Sequence, residues 1–81
     1  MGFMEIFSEI KAMIGKKLGV DAEKVTREAH LQFDLGADSL AILDLSAEIS
    51  TRYGIELTVE EMVELNNIGE LISLVESKTK T

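Results

Sequence analysis

The chain has no cysteine and no proline among its 81 residues, and the first absence does most to bound its chemistry. Without a thiol there is no disulfide scaffold, no thiolate nucleophile and no cysteine-based zinc site, which suits a reducing cytosol; any thiol chemistry has to be imported. Histidine is nearly as scarce. The single one, His30, falls in a predicted loop with no second histidine and no nucleophile-elbow glycine pattern, so the chain is read as neither an enzyme nor a metal protein. Long apolar runs are missing too. No stretch approaches the ~20 residues that a bilayer span takes, and Met1-Gly2-Phe3-Met4-Glu5 places no basic region ahead of an apolar one. The expectation is a soluble, unexported, cytoplasmic monomer with no membrane insertion. Positive charge is short as well: eight Lys and Arg against fifteen Asp and Glu leave a net charge of −7, which repels nucleic acid and anionic headgroups and attracts basic protein surfaces.

What is present is enough for one small core. With 46% apolar and 28% charged residues, the chain reads as a single domain over 1–81 that buries roughly 60 to 65% of its unfolded surface. Phe3, Phe7, Ile10, Ile14 and Leu18, with Ile6 and Met13 beside them, follow one helical face and predict a helix from Phe3 to Leu18, with Lys16 and Lys17 suited to its last turn and Gly19 as a left-handed stop. From Val20 to Ala37 no period persists. That segment predicts a long ordered loop, tucked down by Val25, Leu31, Phe33 and Leu35. Asp38 predicts the N-cap of a second helix from Ser39 to Tyr53, ended by Gly54. Thr58 with Glu61 forms a capping-box pattern for a short third helix, Val59 to Leu65. Asn67 with Glu70 repeats it before a fourth helix carrying Ile68, Leu71, Ile72 and Val75, and the tail from Ser77 to Thr81 is expected to fray. The fold class is therefore all-α, a four-helix bundle with a short third helix and a long loop between helices one and two.

The second helix is unusual in having two apolar sides. Ile42, Leu45, Ile49 and Tyr53 make an ordinary buried stripe, whereas Leu40, Leu43 and Ala47, bordered by Asp44 and Thr51, lie across the helix from it and read as contact surface. Ser39 sits at the first turn of the same helix, where unpaired backbone N–H groups and the positive dipole end favour a phosphate ester. Position alone favours the plainer reading of a capping serine.

The residues around Ser39 change that balance. Asp34-Leu35-Gly36-Ala37-Asp38-Ser39-Leu40 closely resembles the phosphopantetheine-attachment motif of acyl carrier proteins, in which the serine of Asp-Ser-Leu is modified. The resemblance runs on through Leu18-Gly19-Val20, the Tyr53-Gly54-Ile55 turn and the Glu60-Glu61 helix. It implies that a phosphopantetheinyl transferase moves 4′-phosphopantetheine from coenzyme A to Ser39, and that the thiol of this covalent cofactor carries acyl groups as thioesters. It further implies that Asp38, Leu40, Leu43, Asp44, Ala47 and Glu48 dock acyl-processing enzymes with basic patches, such as ketosynthases and acyltransferases. A bound acyl chain is expected to be lined by Ile42, Leu45, Ile49, Met62 and Leu65. Gly36-Ala37-Asp38-Ser39 looks more like the free-standing fatty-acid type than the peptidyl type. Ala41, Ser50 and Thr51 stand where fatty-acid carriers commonly have acids, which points to a specialised acyl or polyketide pathway with weaker docking to housekeeping enzymes. The rival reading from another class is an unmodified helical interaction module that uses the Leu40, Leu43 and Ala47 stripe, with Ser39 as a mere cap.

Overall fold

Isoleucines spaced one turn apart decide how the first helix packs. In the computed structural model, which describes residues 2–80, α1 spans Phe3–Leu18 and buries Ile6, Ile10 and Ile14 completely. Ile6 is thus at the centre of the buried face rather than beside it, while Phe3, Phe7, Met13 and Leu18 pack along its margins. The remaining helices are α2 (Ser39–Tyr53), α3 (Val59–Glu64) and α4 (Ile68–Thr79). Helix α1 packs against both α4 and α2, and α3 packs against α2. Among the described residues there is no strand, so the expected all-α bundle is the observed one.

Local chemistry ends these helices. Gly19 and Gly54, at φ 67° and 64°, adopt the left-handed conformation that a Cβ would strain, and each returns its N–H to the carbonyl four residues back. Helix α3 is entered through the expected capping box: Thr58 Oγ1 accepts the Glu61 N–H at 3.1 Å and the Glu61 carboxylate accepts the Thr58 N–H at 3.0 Å. That second bond, followed by the Lys78 ammonium 3.0 Å from the carboxylate, holds Glu61 below the ordinary carboxylate pKa. Lys78 lies in the segment expected to fray. Helix α4 instead continues to Thr79, whose hydroxyl donates to the Glu76 carbonyl at 2.8 Å, because the bridge to Glu61 anchors its last turn. Thr81, the end of the expected tail, lies outside the described residues.

The segment between α1 and α2 contains one short 3-10 turn, Ala22–Lys24, and is otherwise pinned by its own carbonyls. The Ala29 and Arg27 carbonyls accept the N–H groups of Ile68 and Gly69, each at 2.9 Å, and so satisfy donors at the start of α4. Val25, Leu31 and Leu35 are buried as expected, together with Ala29 and Ala37. Phe33 is not. It is 86% exposed, contrary to the expectation that it tucks under the loop, because the turn that contains it commits Leu31, Leu35 and Ala37 to the interior and leaves Phe33 at the outer tip.

Candidate functional site

Asp38 prepares the start of α2. Its backbone is extended (ψ −179°) and its Oδ1 accepts the Ala41 N–H at 2.8 Å, while the Asp38 carbonyl takes the Ile42 N–H at 3.0 Å. The next two N–H groups, of Ser39 and Leu40, have no hydrogen-bond partner among the described residues. The Ser39 hydroxyl is likewise unpartnered there, and its side chain is exposed. The cap is therefore Asp38 and not Ser39. A free hydroxyl beside two free donors at the positive end of a fifteen-residue helix can take a phosphate ester and hydrogen-bond its oxygens.

The surface beyond Ser39 is as the two-sided pattern predicts. Leu40 is 70% and Leu43 51% exposed, and Asp38, Asp44, Ala47 and Glu48 are also at the surface. Ala47 and Glu48 line an open groove between α1 and α2 with Met13, Lys16, Thr51 and Arg52, and Glu48 lies 3.9 Å from the Lys17 ammonium. On the opposite side Ile42, Leu45, Ile49 and Met62 are buried in the common core, and Leu65, just past α3, is half-buried against it.

Two structural roles on α2 were not readable from its pattern. Ser46 is buried, with its hydroxyl donating to the Leu43 carbonyl at 2.8 Å. Ser50 donates to the Ser46 carbonyl at 2.7 Å and accepts the N–H of buried Leu57 at 3.0 Å, so it fastens the segment leading to α3. Ser50 is thus half-buried and engaged in this bridge, and Ala41 is half-buried against the core; of the three departures only Thr51 is exposed. Near the far end of α2 the Tyr53 hydroxyl donates to Glu9 Oε1 at 2.6 Å, with Arg52 Nε 3.5 Å from the same oxygen. Burial first and this hydrogen bond second push Tyr53 up to about 12, and the bond holds Glu9 below its ordinary value.

The profile of a family described as a phosphopantetheine attachment site matches residues 8–75, a span that holds α2, its capped start and most of the bundle. The chain is also 40% identical over 74 residues to the acyl carrier protein of Thermotoga maritima, an alignment that covers 91% of each. The chain belongs to the acyl carrier protein family. As a member it is a non-catalytic carrier that holds 4′-phosphopantetheine covalently and works with acyl-processing enzymes and a phosphopantetheinyl transferase. That explains how a carrier without cysteine handles thioesters: the thiol belongs to the prosthetic group. Among the described residues, no helix is long and apolar enough to cross a membrane.

Proposed function

We propose that Ser39 is the attachment residue and that the chain carries acyl intermediates of fatty-acid synthesis in the cytoplasm. The observation that carries this reading is the exposed, unpartnered Ser39 hydroxyl at a helix start already capped by Asp38. Ser39 Oγ supplies the ester oxygen, and the N–H groups of Ser39 and Leu40 are free to hold phosphate oxygens there. The bound group supplies a terminal thiol, on which an acyl chain rides as a thioester. The protein contributes docking: Leu40 and Leu43 offer apolar contact, Ala47 a smaller one, and Asp38, Asp44 and Glu48 meet basic side chains of ketosynthases and acyltransferases. Ile42, Leu45, Ile49, Met62 and Leu65 are the lining for a short acyl chain. A fatty-acid pathway is preferred to a specialised one because Ser50 and Ala41 have packing roles that account for their lack of charge.

Incubation with coenzyme A and a phosphopantetheinyl transferase should add one arm to the wild type and none to Ser39→Ala, which stays folded because Asp38 provides the cap. Intact-mass measurement decides it: an Ala variant that still gains the arm, or a wild type left unmodified under conditions that load a known carrier, sinks the assignment.

A further inference from the structure

Phe33 stands further out of the surface than any other large apolar side chain described, yet it is held in place. Its ring stacks on His30 with centroids 4.3 Å apart and planes inclined by 22°. The same imidazole organises the backbone beneath: His30 Nδ1 accepts the N–H groups of Gln32 at 3.1 Å and Phe33 at 3.2 Å, and Asp34 Oδ2 accepts the His30 N–H at 2.7 Å. Bonds from the Gly36 N–H to the Gln32 carbonyl (3.2 Å) and from the Ala37 N–H to the Leu31 carbonyl (2.9 Å) close the turn. Phe33 lies six positions before Ser39, at most about 22 Å of extended chain, close enough for one enzyme face to span both.

We infer that Phe33 is a docking anchor, outside the α2 surface, for an acyl-processing enzyme whose carrier-facing side offers an apolar pocket with a basic rim. A ring already fixed by stacking loses little freedom on binding, and aromatic anchors carry a disproportionate share of interface energy. Charge selects the occupant. Asp34 is the next residue in the chain, Asp38 and Asp44 follow, and the chain carries −7 overall, so a second copy or an anionic membrane is repelled while a basic enzyme face is attracted. The inference rests on the carrier function proposed above and adds a residue to its docking surface.

The experiment titrates the cognate ketosynthase with holo carrier. Phe33→Ala should weaken binding roughly tenfold, while Phe33→Tyr, which keeps the ring, stays within about twofold of wild type. His30→Ala, which removes the platform but leaves the ring, should fall between them. Melting temperature should hardly move in Phe33→Ala, since the ring is 86% exposed, which separates lost docking from lost fold. A wild type that loads and binds while Phe33→Ala binds within about twofold of it overturns the anchor and leaves the carrier function standing. A wild type that neither takes the arm nor binds the ketosynthase overturns both.

Discussion

Ser50 shows how one hydroxyl can be mistaken for an empty surface position. By sequence it stands where an acid is common in related carriers, and its absence reads as a change of partner; in the fold it bridges the Ser46 carbonyl and the Leu57 N–H. Ser50→Ala leaves that donor unpaired beside a buried leucine, at a cost of roughly 1 to 2 kcal/mol, which for a domain of this size lowers Tm by about 5 to 10 °C. Ser50→Glu should destabilise by at least as much, since the longer charged side chain cannot repeat the bridge. Thermal melting of the two variants checks this, and a glutamate variant as stable as wild type would return Ser50 to the docking surface. Phe33 is the reverse case. It reads as a core residue because it is apolar, but in a segment without a period nothing in the sequence sorts inside from outside, and hydrogen bonds to His30 place it at the surface.

Elements whose limits depend on adjacent residues were legible. Asp38, Gly19, Gly54 and the Thr58 and Glu61 pair act within four residues, so α1 ends and α2 begins and ends where their caps predict, and α3 differs only in stopping at Glu64. The end of α4 depends on Lys78 meeting Glu61, seventeen positions away, which no local pattern encodes. The pairing of α1 with α2 through Glu9 and Tyr53 was equally hidden, and it has a measurable signature. Tyr53 titrates near 10 when unfolded and at about 12 in the fold, so its contribution is complete below pH 10 and is lost as pH rises through about 12. Glu9 is lowered in the fold, so its contribution is present above its unfolded value of 4.5 and is lost as pH falls through the folded one. Tyr53→Phe should therefore flatten both limbs of the stability curve, above pH 10 and below pH 4.5, relative to wild type. Chemical denaturation across pH tests it; parallel curves for the two proteins would mean that the bond does not persist in solution.

At the scale of the whole molecule, the proposed acyl lining poses a packing problem. Ile42, Leu45, Ile49 and Met62 are each no more than 2% exposed and already belong to the common core. An acyl chain can enter only if some element yields. The elements differ in how firmly they are held: α1 is clasped between α4 and α2, α4 receives the loop carbonyls of Ala29 and Arg27 at its start, and the six-residue α3 packs on α2 with its cap and the Lys78 bridge as further ties. Helix α3, the shortest of the four, is thus the element expected to yield if a chain enters, with half-buried Leu65 just past its end. Each methylene moved from water into the core contributes ~0.8 kcal/mol, less the cost of ordering the arm and displacing α3, so a medium-length chain should raise Tm by a few degrees over the holo form. Hydrogen exchange adds the location: in the acyl form, amides of α3 should change protection while those of α1 do not. Equal melting of the holo and acyl forms, with unchanged exchange in α3, would mean that the chain stays outside the bundle and that Ile42, Leu45, Ile49 and Met62 serve the core alone.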